Sequence, residues 1–230
     1  MIRIIPATGS TNADLLACAD AQEGEWLVAR RQTAGRGRAG RGWEDGAGNF
    51  MGSTIALLRP GDPPPQTLAL VSGLAVFETI AASPSPPAGL MLKWPNDLLA
   101  GGAKLAGILL ERVAERVVVG IGVNLARAPD VPGRATTSLA LSPPLKDFAH
   151  ALADTFAALL ARWHRGEWPA LRDAWLARAH PSGTRLSVHE SDGARISGLF
   201  AGLGAEGAAL LRLADGTTRA IHAGDLEMGG

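Results

Sequence analysis

The chain has no tyrosine, one cysteine and no net charge across 230 residues. Without net charge, no long-range field gathers nucleic acid or an anionic membrane, so any anion site must be local. The single cysteine, Cys18, excludes an intramolecular disulfide and fits a reducing compartment. Its apolar, helical neighbourhood places it in the core. No apolar run reaches about 18 residues, which excludes a transmembrane helix. The start, Met1-Ile2-Arg3-Ile4-Ile5-Pro6, lacks the long apolar stretch of a signal peptide. The expected location is therefore cytoplasmic. Aromatics at 5% leave little stacking surface for RNA. The five histidines, at 150, 164, 180, 189 and 222, show no metal-ligand spacing. Lysine is scarce too: 19 of the 22 basic residues are arginine. Lys93, Lys104 and Lys146 therefore draw attention, because a compact ammonium reaches into a tight site where a planar guanidinium does not fit.

Glycine, by contrast, is plentiful, and its densest run is Gln32-Thr33-Ala34-Gly35-Arg36-Gly37-Arg38-Ala39-Gly40-Arg41-Gly42-Trp43. Such a backbone loses much entropy on ordering, and its arginines repel one another until an anion arrives. Taken alone, the stretch fits either a solvated basic turn or a mobile phosphate-binding loop. Gly35-x-Gly37-x-x-Gly40 matches the dinucleotide fingerprint literally and follows an expected strand. The next residues, Arg-Gly-Trp-Glu-Asp-Gly-Ala-Gly-Asn, cannot form the helix whose N-terminus would receive a pyrophosphate, so that reading fails.

Thr11 and Asp14 have N-cap spacing before Leu15-Leu16-Ala17-Cys18, and the pattern predicts a helix over about 12–21. Strands are expected at 25–31, 49–58 and 90–94. A hairpin turning at Gly101-Gly102-Ala103 joins 98–100 to 105–111, and a further strand spans 116–125. Apolar spacing predicts helices at 67–82, 145–165 and 167–179. These elements describe an α+β chain: a mixed sheet packed with helices on one side. After Pro181-Ser182-Gly183 the character changes to short strands at 184–189, 195–201, 208–213 and 217–222, a small barrel-like all-β unit. The domain boundary is placed there, giving 1–180 and 181–230.

Three blocks follow the Gly/Arg loop: Lys93-Trp94-Pro95-Asn96-Asp97, then Lys104-Leu105-Ala106-Gly107-Ile108-Leu109-Leu110-Glu111, then Gly120-Ile121-Gly122-Val123-Asn124-Leu125. In order, wording and spacing the loop and these blocks resemble the biotin–protein ligases, with Ser10-Thr11-Asn12 as their early block and 135–139 as a further short one. The likeness runs from about residue 8 to the end. It is closest to the monofunctional type, since the blocks begin almost at Met1 and no helix-turn-helix segment precedes them. DNA-binding repression is not expected. Ala39 stands where another basic residue is common, which makes this loop less cationic than its counterparts.

The resemblance implies a biotin/lipoate ligase-like catalytic domain at 1–180 and an SH3-like β-barrel at 181–230. It implies ATP, Mg²⁺ and biotin, a biotinyl-5′-AMP intermediate, and transfer to a lysine of a biotin carboxyl carrier protein, by a monomer or a homodimer. Lys104, Arg38 and Lys93 are then the catalytic cations. Ser10, Thr11, Asn12, Gln32, Gly35, Arg36 and Gly107 would hold biotin. Arg36, Arg38, Arg41, Trp43, Lys93, Asn96 and Asn124 would hold ATP, and Asp97 would serve the metal. A lipoate–protein ligase shares the fold and the adenylate chemistry. A non-enzymatic nucleotide- or RNA-binding module would use the Arg/Gly loop alone. Trp94, Trp163, Trp168 and Trp175 are read as core, and Glu111 as a surface charge.

Overall fold

Strand register and side-chain size together decide where this molecule is solid and where it is hollow. In the computed structural model, which describes residues 1–44, 46–139, 143–189 and 195–228, seven strands form one sheet. They are β1 (Ile2–Ile5), β2 (Trp26–Ala29), β3 (Phe50–Leu57), β4 (Met91–Lys93), β5 (Asp97–Ala100), β6 (Ala103–Val113) and β7 (Arg116–Val123). The order across the sheet is β1-β2-β3-β7-β6-β5-β4, with β1 parallel to β2 and the other pairs antiparallel.

One face carries Val28, Phe50, Leu98, Ile108, Val119, Ile121 and Val123, all buried beneath three helices. These are α2 (Leu68–Ala81), α3 (Leu145–His164) and α4 (Trp168–Leu176). The apolar spacing of Phe148, Leu152, Phe156, Leu159 and Trp163 lays α3 along this core. Helix α2 is buried nearly all round, and the hydroxyls of Ser72 and Thr79 are satisfied by donating one turn back to the Leu68 and Ala75 carbonyls.

The other face receives a single short helix, α1 (Thr11–Ala17), whose Leu15 packs on Leu27, Ile55 and Val118. The expected coverage by helices on one side is thus completed by α1 on the opposite side. The helix stops at Ala17 rather than near residue 21. Cys18 turns extended, and the Arg116 guanidinium caps the helix end by donating to the carbonyls of Cys18 at 2.6 Å and Leu15 at 3.2 Å. That ending leaves Cys18 exposed, a correction to its expected core position. The N-cap is Ser10, while Asp14 accepts from Thr8.

The chain after Pro181 forms a second, antiparallel sheet in the order β11-β10-β9-β8-β12. Its strands are β8 (Arg185–His189), β9 (Arg195–Leu203), β10 (Ala209–Arg212), β11 (Thr218–Ile221) and β12 (Asp225–Met228). Strands β1 and β12 are additions to the elements expected from the sequence. The stretch 190–194, between the strands expected at 184–189 and 195–201, lies outside the described residues. Leu186, Val188, Phe200, Leu211 and Leu226 join the same hydrophobic cluster as the large sheet. Trp94 Nε1 donates to the Gly207 carbonyl at 2.9 Å and Trp168 Nε1 to that of Ala205 at 2.5 Å, tying the two sheets together. His180 is buried against Phe200 at this junction, and neither ring nitrogen has a hydrogen-bond partner among the described residues.

Candidate active site

On the α1 side of the sheet the middle strands carry small residues where the opposite face carries large ones. Register aligns Ser53 of β3 with Gly120 of β7, and Gly122 of β7 with Gly107 of β6. The resulting hollow is a cleft of about 420 Å³ beside α1, roofed by the Gly/Arg loop. The glycines are required by what lies over them. A Cβ on Gly120 would overlap the Asn12 amide, and one on Gly122 would overlap the Trp43 indole.

At the α1 end, side chains from four elements form a continuous hydrogen-bonded chain. Gln32 Oε1 accepts from the Thr11 amide at 2.7 Å and lies 3.1 Å from the Thr11 hydroxyl. Thr11 Oγ1 lies 2.7 Å from Ser53 Oγ, and Ser53 Oγ donates to Asn12 Oδ1 at 2.5 Å. Asn12 Nδ2 then donates to Glu111 Oε2 at 2.8 Å. With Ser53 committed to Asn12, the one Thr11 proton serves either Gln32 or Ser53. All four of Thr11, Asn12, Gln32 and Ser53 are buried, so the cleft floor is polar and ready for a polar ring.

At the other end stands Lys104. Gly101 and Gly102 turn with φ of 57° and 81°, which side-chain-bearing residues rarely adopt, and so launch β6 at Ala103. Lys104 Nζ donates to Asp97 Oδ1 at 2.6 Å with both side chains largely buried, and it lies 5.8 Å from the Trp43 ring centre. Trp43 Nε1 is buried without a partner among the described residues, an unusual expense for an indole beside a cleft.

The loop is held by its own backbone. Gly37 N donates to Arg41 O at 2.7 Å and Trp43 N to Gly35 O at 3.0 Å, around a single 3₁₀ turn at Arg38–Gly40. Arg36 pairs with Glu111 at 3.1 Å. Arg38 donates to Asn96 Oδ1 at 3.2 Å and to the Gly224 carbonyl of the second sheet at 3.4 Å. Opposite the loop, residues 129–134 and Thr136 wall the cleft. Buried Asn49 fixes the approach to this wall by accepting from the Ala126 and Arg127 amides, each at 3.0 Å. Asn124 Nδ2 donates to Thr137 O at 3.1 Å. The lining includes Arg36, Arg38, Arg41, Lys104 and Arg134 against Glu44, Asp97 and Asp130. A chain of zero net charge thus concentrates cations in one place.

Of the residues singled out in the sequence, Ser10, Thr11, Asn12, Gln32, Arg36, Arg38, Arg41, Trp43, Asn96, Asp97, Lys104, Gly107 and Asn124 all line this cleft. Lys93 and Gly35 are not among the lining. Lys93 lies opposite Asp97 on β4, the outermost strand, and its charge is also felt by His180. Gly35 underlies the loop, where a Cβ would meet the Trp43 carbonyl at 2.8 Å. Missed from sequence were Asn49, Ser53, Glu111 and the 129–136 wall. The first two carried a signal, Ser53 being a polar residue within the mostly apolar β3 and Asn49 one immediately before it. The wall carried only a Pro/Gly turn signature.

The site is thus a cationic cleft over facing glycines on a helix-backed mixed sheet. The model of the biotin/lipoate A/B protein ligase family matches residues 1–126, and the chain belongs to that family. It is 38% identical over 226 residues to the biotin–[acetyl-CoA-carboxylase] ligase of Paracoccus denitrificans, covering 91% of this chain and 93% of that one. The ligase of the same description from Mycobacterium tuberculosis is 37% identical, covering 97% and 87%. The biotin protein ligase of Aquifex aeolicus, solved in complex with biotin and ATP, superposes with a TM-score of 0.85 at 26% identity, covering 99% of each chain.

Proposed function

We propose that this chain activates biotin with ATP as biotinyl-5′-AMP and transfers the acyl group to a lysine of a biotin carboxyl carrier protein. The observation that carries this reading is the buried Lys104–Asp97 pair at one end of a cleft whose other end is a polar hydrogen-bonded floor. The relatives named as biotin ligases, and the Aquifex complex with biotin and ATP, support the choice of substrates.

In the first step a biotin carboxylate oxygen attacks the α-phosphorus and pyrophosphate leaves. An anion attacking a polyanion needs cations where negative charge grows. Asp97 aims the Lys104 ammonium, which bridges the carboxylate and the α-phosphate. Arg38 and Arg41 attend the phosphates, with Lys93 contributing charge from the neighbouring strand. Ser10, Thr11, Asn12 and Gln32 hold the ureido ring, and the Gly107 backbone lies along the acyl chain. Arg36 and Gly35 close the loop, excluding water from a hydrolysable mixed anhydride. Trp43, Asn96 and Asn124 line the nucleotide side. Mg²⁺ would supply charge neutralisation at the phosphates, and Asp97, which lines the cleft beside Lys104, would be the carboxylate to hold it. In the second step the carrier amine attacks the acyl carbon, the acyl–phosphate bond breaks, AMP leaves and the new amide nitrogen sheds its proton.

The catalytic unit is residues 1–180, and the unit at 181–230 braces the loop through Arg38. Among the described residues no helix is long and apolar enough to cross a membrane. A single cysteine and a carrier-protein substrate support a cytoplasmic location. The test is exchange of labelled pyrophosphate into ATP. Biotin should drive it, and exchange driven by lipoate instead would overturn the reading.

A further inference from the structure

Glu111 sits at the far end of β6, outside the cleft lining, with one oxygen on each of two cleft residues. Oε2 accepts from Asn12 of α1 at 2.8 Å, and Oε1 pairs with Arg36 of the Gly/Arg loop at 3.1 Å. Register places Glu111 beside Val118, two residue pairs beyond the row holding Gly120 and on the same face, so its carboxylate reaches the gap between helix and loop. No other carboxylate is recorded against Arg36 among the described residues. We propose that Glu111 is a positioning residue that latches the Gly/Arg loop to the biotin end of the site, and so sets how long the acyl-adenylate is retained.

This inference rests on the biotin-ligase reading and adds to it a control on intermediate release. The exposure of the pair decides the kind of device it is. Arg36 is half exposed and Glu111 about a quarter, so water screens their attraction and the bond is weak. A weak bond cannot hold the fold together. It can bias a loop between closed and open, and it must break each time substrate enters. The Asn12 contact gives the latch a fixed base, because Asn12 is buried and already bonded to Ser53. Glu111 therefore acts through Arg36, and its loss is felt as faster escape of the intermediate rather than as slower chemistry.

The experiment uses the full chain with biotin, ATP and no carrier. Adenylate is allowed to form, and its release is followed by chase with unlabelled biotin and by labelling of bystander protein lysines. E111Q keeps the size and the Asn12 contact but removes the charge. It should shorten retention about three- to fivefold. Biotin-dependent pyrophosphate exchange should stay within twofold, and the melting temperature within about two degrees. In an R36A background, where the latch has no partner, E111Q should change retention no further. Equal retention in E111Q and the parent chain overturns the proposal, as do effects that multiply in the double variant or a fall in melting temperature that accounts for the change. If the parent chain itself shows no biotin-dependent exchange, the fault lies in the functional reading and not in the latch.

Discussion

At the scale of single residues, the cleft is built by pairs in which one member makes sense only beside the other. Lys104 stood out in the sequence because lysine is rare there, but nothing in the sequence reveals that Asp97 holds its ammonium at 2.6 Å. Replacing Lys104 by alanine should lower biotin-dependent pyrophosphate exchange by at least about a hundredfold, while circular dichroism and melting remain near the parent. Normal exchange would remove Lys104 from its role. Gly122 is the converse case, a residue defined by what it lacks. Gly122→Ala forces a Cβ into the Trp43 indole, and either the ring or the strand must shift. Overpacking of this kind costs about 1–3 kcal/mol. The expected result is a raised KM for both substrates with a lower melting temperature. An unchanged KM would mean that the indole is free to move aside. Gly122 was legible as a glycine in a strand, whereas its reason was not, since the covering tryptophan is distant in sequence.

At the scale of elements, the Gly/Arg loop shows how far pattern reading reaches. Its composition announced mobility and an affinity for anions, and the missing helix after Gly40 disposed of the dinucleotide reading. Its anchoring could not be foreseen, because Arg38 is held by Asn96 and by a backbone carbonyl at Gly224, far away in sequence. Arg38→Gly removes both contacts. Bystander lysines should then be labelled several-fold more heavily at equal adenylate formation, a ratio read by blotting against exchange rate. No rise would refute the clamp. The long helices and strands were legible because their apolar residues run long enough to show a helical spacing or a sustained apolar run. Strands β1 and β12 were not, and each is held by pairing with one neighbour, β2 and β8 respectively. The early end of α1 has the same kind of cause, a capping arginine about a hundred residues further along the chain.

At the scale of the whole molecule, the junction between the two sheets carries a pH liability. Burial, with Lys93 nearby, holds the His180 pKa down from 6.5 to about 4. The unfolded chain then binds more protons than the folded one between these values, so stability is full above about pH 6.5 and falls as pH drops towards 4, by up to about 3 kcal/mol. His180→Phe should flatten that dependence in melting curves measured from pH 7 to 4. An unchanged slope would place the acid sensitivity elsewhere. The absence of tyrosine noted at the start acquires a use here. Six tryptophans supply all the strong near-ultraviolet emission of the chain. Five of them, Trp26, Trp94, Trp163, Trp168 and Trp175, are sealed in the interior. The sixth, Trp43, lies over the cleft glycines, and its N–H has no hydrogen-bond partner among the described residues. The enzyme thus carries its own optical probe, and a spectral shift on titration with biotin, lost in Trp43→Phe, would report occupancy without any added dye.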